Sequence, residues 1–397
     1  MQILVLNTGS SSVKFSVIEA EGEQMVLSGQ ADWSPLPAKF VLHRPGLEAV
    51  KATLQADTQS DAVTHILDEI APIITDLGQI GAVGHRVVHG GDVYTGCVRI
   101  DDNVKKTLAD LCELAPLHNP ISLEGIHAAE KSWPGVPQFA SFDTAFHATL
   151  SEAARTYAVP RTWTRDWKLR RYGFHGLSHA YCTLQAAKLL GRSAEDFRLI
   201  ICHLGHGCSV TAVRDGASVD TTMGFTPLDG LVMATRSGSV DPGLLTHVIR
   251  HKGLTAEDLD RVLNRESGLL GVSEVSADMR QILQAASNGH EGSRLALDVY
   301  VRRLRQTIGA MYVTLGGLDV LVFTAGVGEN AVEVRAAVCD GLNCIGIELD
   351  QQANQTCAPD ADITAMTSDA RVLVIGTRED LTIVRETVKM LEKPAGP

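Results

Sequence analysis

The sequence predicts an α/β protein of two lobes, each built on a mixed sheet. Three observations carry that expectation. Apolar strand-like runs alternate with helix-period segments, and two stretches half a chain apart open alike. The third is length, because 397 residues exceed what one core of ordinary size organises and point to two domains of roughly 150–200 residues.

The elements follow in order. ILVLNTGSSSVKFSV (3–17) is an apolar run, a Gly-rich turn and a second alternating run, and LIICHLGHGCSVTAV (199–213) repeats the plan with His203 where the first has Asn7. The pair reads as a duplicated β-loop-β unit. Two such turns facing one another across a central cleft would grip a polyphosphate from both sides, which points to phosphoryl transfer. Further strands read at 81–88, 319–325 and 371–375, several of them stopping at a glycine. Helical periodicity marks 61–76, 102–114, 178–190, 256–264, 293–315 and 379–392, most clearly where Leu297, Val301, Leu304, Ile308, Met311 and Leu315 keep a 3–4 spacing. Residues 32–48, Pro-containing and weakly periodic, read as an insertion loop beside the first sheet. Residues 160–175 break the pattern again with five basic residues beside aromatics, so the lobes are placed at 1–150 and 151–397, the last helix packing back on the first lobe.

Composition narrows the function. A net charge of −12 without runs of like charge argues against nucleic acid, which needs clustered Lys and Arg. Hydrophobic content of 45% with 21% charged residues argues for a folded chain over a disordered one. MQILVLN reads as a first strand and not a signal peptide, and no apolar stretch approaches the ~18–20 residues that cross a bilayer. Eight cysteines without CxxC pairs read as buried thiols of a cytoplasmic protein.

Small residues in NTGSSSVK (7–14), with Lys14 at its end, let backbone N–H groups approach phosphate oxygens, although a plain hairpin turn reads the same. FTAGVGEN (323–330) follows an apolar strand and leads into a helix expected near Ala331, with Gly326 and Gly328 leaving room for a nucleobase or ribose. In VIGTREDLTIVRE (374–386), Thr377 is placed to cap a helix, while Glu379 either completes that cap or reaches out as a Mg²⁺ ligand. Arg86 in GHRVVHGGD (84–92) sits among valines and glycines, where a carboxylate partner is the natural expectation. Asp143 stands at a strand end in ASFDTAFHATL (140–150), His175 between glycines in YGFHGLSH (172–179), and Arg236 with Asp241 in ATRSGSVDP (234–242).

Taken together with RRYGFHGLSH, SADMR and GTRE, these blocks resemble the acetate kinase family within the sugar kinase, heat-shock protein 70 and actin fold, over residues 7 to 380. The resemblance implies a two-lobed, duplicated actin-like ATPase fold. It implies reversible transfer of the ATP γ-phosphoryl group to acetate. Asn7 and Glu379 would hold Mg²⁺, with Mn²⁺ as an alternative, and Arg86 would clamp the substrate carboxylate. Asp143 would be the active-site carboxylate, with His175 and Arg236 stabilising the transferring group. Lys14, the turn His203, Leu204, Gly205, His206 and Gly207, then Asp278, Met279 and Arg280, and Gly326, Val327, Gly328, Glu329 and Asn330 would contact the nucleotide. Val88, Leu117, Phe174 and Pro227 would take the substrate methyl. A homodimer is implied as well. One departure stands out: the family's HLGNG is HLGHG here, so the imidazole of His206 replaces an asparagine.

An acetate ion is already ionised at neutral pH, so Asp143 has no evident task as a general base and is expected to orient Arg86, Arg236 or the metal's water shell. Direct in-line transfer is expected over a phosphoenzyme at Glu379 or His175. The alternatives are a kinase for propionate or another short-chain acid, one using another phosphoryl donor, a phosphohydrolase, and a non-catalytic nucleotide-dependent regulator.

Overall fold

The computed structural model describes residues 1–9, 12–32, 38–54, 59–77, 79–116 and 118–393. Two compact units divide the chain, one of Met1–Phe146 with Arg378–Pro397 and one of His147–Thr377.

The first unit holds β1 (Gln2–Thr8), β2 (Ser12–Glu19), β3 (Gln24–Asp32), β4 (Ala38–His43), β5 (Val50–Leu54), β6 (Ile80–Val87), β7 (Val98–Arg99) and β8 (Gln138–Phe142), in the sheet order β5-β4-β3-β2-β1-β6-β8-β7. Strands β1 to β5 run antiparallel, whereas β6 lies parallel to β1 and β8 parallel to β6. The parallel strands are buried along nearly their whole length, as they must be when helices cover both faces. On one face, Val63, Ile66, Leu67, Ile70 and Ile74 of the helix Gln59–Leu77 join a core with Leu4, Leu6, Val13, Phe15 and Val83. Successive strand residues face opposite ways, so Gly84 looks away from that core. A methyl group on it would lie 2.5 Å from Cγ2 of Ile383, so glycine is what admits the C-terminal helix Glu379–Leu391 onto the second face.

The second unit holds β9 (Arg198–Leu204), β10 (Cys208–Arg214), β11 (Ala217–Thr221), β12 (Val320–Thr324), β13 (Ala361–Asp362) and β14 (Arg371–Val374), in the order β11-β10-β9-β12-β14-β13. Here too an antiparallel three-strand meander continues into two parallel strands. The stretch β3-β2-β1-β6-β8 is thus repeated as β11-β10-β9-β12-β14, which is the duplication the two similar openings foretold.

Three expectations needed correction. Residues 32–48 are not merely a loop, since β4 pairs with β3 from Ala38 onward. Residues 160–175 include a short helix, Arg161–Asp166, one turn and a half too short to show a periodicity. In the long helix Glu291–Leu315 the buried stripe runs through Ala296, Tyr300, Leu304, Ile308, Met311 and Leu315. Leu297 and Val301 instead line a groove of about 500 Å³ with Leu283 and Val334.

Candidate active site

In the first unit, four distant sequence positions meet at the ends of β1, β6 and β8. Arg86, the next-to-last residue of β6, lays its guanidinium fork on Asp143, with Nε donating to Oδ1 at 3.0 Å and Nη2 to Oδ2 at 2.5 Å. Its Nη1 donates to Oδ1 of Asn7 at 3.0 Å. Asn7 Nδ2 in turn donates to Glu379 Oε2 at 3.3 Å, and that oxygen lies 3.8 Å from Arg86 Nε. Three of the five guanidinium N–H bonds are thereby spoken for, and two have no partner among the described residues. Asp143 is almost wholly buried, at 1% exposure, beside 17% for Arg86.

Electrostatics follow from that geometry. Burial works against the charge on Arg86, but Asp143 and Glu379 more than offset it and hold the guanidinium above its ordinary value. Burial also pushes the Glu379 carboxyl up; Arg86 pulls it back, and Asp143 pushes it further. Lys14 pairs across β1 and β2 with Asn7, and its charge also draws on Glu379. Val88 is buried just past the end of β6, and Leu117 lies outside the described residues. The loop after β6 is pinned by residues the sequence did not single out. Asn119 accepts from His89 N and returns a bond to His89 O, while Thr144 Oγ1 accepts from Gly90 N.

In the second unit the glycine turn between β9 and β10 is the focus. Gly205 N donates to Gly207 O at 3.0 Å, closing the turn. A methyl group on Gly207 would lie 3.4 Å from Arg236 Nη1 and 3.4 Å from His175 Nε2, so guanidinium and imidazole flank one point over the turn. His175 is held in the left-handed region, at φ 58°, where it precedes the helix Gly176–Leu190 without capping it. That backbone is costly for a residue with a β-carbon, and such strain gathers at working sites. The rings of His175 and His203 stack at 4.1 Å, and His203 Nδ1 meets Ser178 Oγ at 2.8 Å. Burial lowers the pKa of Arg236, which donates from Nη1 to Pro227 O at 3.3 Å. Pro227 is therefore a neighbour of Arg236 through its carbonyl. Burial and the Arg236 charge together lower the pKa of His206. Phe174 is buried beside His175, and its carbonyl contacts His147 Nε2 at 3.0 Å.

The remaining motifs of this unit are partly structural. Asp241 caps the helix Pro242–Lys252. Asp278 caps the helix Met279–Ser287 and takes the fork of Arg280, while Met279 is buried. The helix expected near Ala331 is there, as Val332–Cys339 with Ala331 at its N-cap, and a separate short helix, Ala325–Asn330, precedes it, with Ala325 itself at φ 65°. Gly326 faces open space as expected. Gly328 does not, for a methyl there would meet the backbone of Phe323 at 3.3 Å, so it serves packing. Asn330 bonds back to Gly326 O, and Val327 lies within the same short helix. Thr377 does not cap the last helix. Its hydroxyl pairs with Thr324 and accepts from Ala325 N, while Thr377 N donates to Glu329 Oε1 at 2.8 Å. Sequence reading also missed Arg335, fully buried, which donates to the carbonyls of Gly328 and Glu329 and to Asn354. The expectation of eight buried thiols holds for half of them: Cys182, Cys202, Cys208 and Cys339 are buried, Cys97, Cys112 and Cys357 are half-buried and Cys344 is exposed, while burial raises the pKa of Cys202 and Cys208, which bracket the turn.

One sheet plan built twice, with a glycine turn heading each copy and guanidinium groups gathered at both, defines the class: a duplicated actin-like ATPase fold. The sequence model of the acetokinase family matches residues 2–385. An acetate kinase from Trichormus variabilis is 46% identical over 99% of this chain and 100% of its own. The crystal structure of Porphyromonas gingivalis acetate kinase superposes with a TM-score of 0.90 at 38% identity, over 98% of this chain and 100% of that one. A propionate kinase from Francisella tularensis superposes at 0.91 and 38% identity, over 97% and 98%. The chain belongs to the acetokinase family.

Proposed function

We propose that this protein is a carboxylate kinase that transfers the γ-phosphoryl group of ATP reversibly to acetate, giving acetyl phosphate and ADP. The observation that carries the reading is Arg86, held on Asp143 and Asn7 with two N–H bonds to spare, a fixed cationic fork suited to a small carboxylate. Asp143 acts by holding that fork. It needs to take no proton, because the acceptor carboxylate is ionised at neutral pH.

Phosphoryl transfer passes through a loose state with charge on the equatorial oxygens, and catalysis is then positioning plus positive charge. Arg236 and His175, flanking one point over the Gly207 turn, supply it. The turn residues His203, Leu204, Gly205, His206 and Gly207, together with Lys14, Asp278–Arg280 and Gly326–Asn330, serve the nucleotide. Asn7 and Glu379 suit Mg²⁺ or Mn²⁺, since Mg²⁺ is usually held by one or two protein oxygens while keeping waters and substrate phosphates. A carboxyl that burial leaves above its ordinary range gains from a cation, which supports the fit. Bound there, the ion would neutralise phosphate charge. A homodimer acting in the cytoplasm completes the reading.

A propionate kinase remains the second reading, favoured by the Francisella tularensis neighbour. The test is acyl phosphate trapping with hydroxylamine across formate, acetate, propionate and butyrate, with ATP and Mg²⁺. Highest kcat/KM on acetate supports the proposal, and a maximum on propionate favours the second reading. ATP hydrolysis without any acid acceptor would overturn both.

A further inference from the structure

Behind His175 lies a buried chain of imidazoles and hydroxyls that the reaction as described does not use. Ser209, on β10, places its Oγ 3.0 Å from His175 Nδ1 and 2.8 Å from His179 Nε2. Both Ser209 and His179 are fully buried. The ring of His179 stands edge-on to His147 at 5.7 Å, and His179 Nδ1 has no hydrogen-bond partner among the described residues.

A hydroxyl has one proton, so it can donate to only one of the two ring nitrogens it faces. Burial first, then the neighbouring His147 and His203, keep His179 neutral, with one proton on its ring. That proton has two places to go. On Nδ1 it would be a stranded N–H in a dry interior, the rarer and costlier arrangement. On Nε2 it meets Ser209 Oγ. The serine proton is then directed to His175 Nδ1, which accepts it, and a neutral His175 carries its own proton on Nε2. That nitrogen is the one level with Arg236 Nη1 over the Gly207 turn.

We propose that Ser209 and His179 are positioning residues that fix His175 in the Nε2–H tautomer and so present an N–H donor beside Arg236. The inference rests on the reading of His175 given under Proposed function. The same logic holds in serine proteases, where the carboxylate behind the catalytic imidazole chiefly sets its tautomer and orientation.

The deciding measurement is made on the full-length protein. Long-range ¹H–¹⁵N correlation with ¹⁵N-labelled histidine at pH 7.5 would identify His175 by the signals lost in His175→Asn. A protonated Nε2 with a bare Nδ1 is expected, and a protonated Nδ1 in the wild type would overturn the proposal. Kinetically, Ser209→Ala and His179→Leu should lower kcat on the order of 10- to 100-fold with little change in either KM. His179→Gln, which keeps an N–H near the Nε2 position, should recover most of the loss. Equal losses in the Leu and Gln variants at unchanged thermal stability would count against the relay. Should the variants fail to fold, the wild-type spectrum still decides. Full activity of His175→Asn would instead overturn the role assigned to His175, leaving the spectral result to stand or fall by itself.

Discussion

The pair of Arg86 and Asp143 permits a worked prediction. At contact distance in a medium of effective dielectric about 20, two unit charges attract by roughly 4 kcal/mol, but burial costs several kcal/mol per ion, so the intact pair contributes little net stability. Removing one partner is another matter. Arg86→Gln leaves Asp143, only 1% exposed, uncompensated in a dry site near Glu379 and should cost about 3–5 kcal/mol. Asp143→Asn leaves Arg86 with Asn7 and the more distant carboxylate of Glu379 at 3.8 Å. With 17% of that side chain still in water, a cost of about 2–3 kcal/mol is expected. The double variant replaces two charges by two amides and should cost less than the sum by about 1.5 kcal/mol or more. Urea unfolding of the four proteins at pH 7.5 reads this cycle directly. In parallel, Asp143→Asn should raise KM for the carboxylate about 10- to 100-fold, because the fork loses its holder. Additivity within about 0.5 kcal/mol, or an Asp143→Asn enzyme whose rate follows titration of the acceptor's carboxyl group, would refute the reasoning.

Losing Arg236 to alanine should reduce kcat on the order of 10³-fold, with KM values nearly unchanged; a loss under tenfold would remove it from the transferring group. Gly207→Ala tests the same point sterically. Its methyl has ordinary contact room, so thermal stability should hold, yet it would fill the space between Arg236 and His175 and cut kcat at least about tenfold; unaltered kcat refutes the placement. Because burial and Arg236 lower the pKa of His206, the ring stays neutral to lower pH than a free imidazole, and His206→Asn should change the kcat profile only toward the acid end of pH 5.5–8; superimposable profiles dismiss the idea. Stability itself should fall in acid. Burial holds His85 near 4, against its hydrogen bond to Gln138, and His179 is lowered too, so the unfolded chain takes up protons from about pH 6.5 while the folded one refuses them. The stability contributed by neutral His85 is complete above pH 6.5 and is lost, up to about 3 kcal/mol, as pH falls toward 4. A difference between the urea midpoints of the wild type and His85→Gln that is the same at pH 7.5 and at pH 5 would contradict this.

Where the sequence reading succeeded, the cause was local and periodic. The strands at 81–88 and 199–204 and the helix at 178–190 appear within a residue or two, since apolar spacing is written into the chain itself. Charged residues among apolar ones, Arg86 and Asp143 above all, were recognisable for the same reason, and they do pair. Where it failed, the controlling contact came from far away. Thr377 looks like a cap from its neighbours, yet its hydroxyl is taken by Thr324, fifty-three residues distant. Arg335 gave no signal in an ordinary helix, because its partners Gly328 and Asn354 become neighbours only in the folded unit.

The chain's order of apolar runs and glycine turns thus determined by itself the two sheet-based lobes and their duplication, because each depends on patterns a few residues long, while the family resemblance rests on the motif blocks spread from residue 7 to 380. Tertiary structure alone decided which groups act together. The three guanidinium bonds of Arg86, the shared point over Gly207 and the proton order through Ser209 depend on distances between residues tens of positions apart. Hydrogen bonds reach about 3 Å, so such partnerships exist only once packing has closed those gaps.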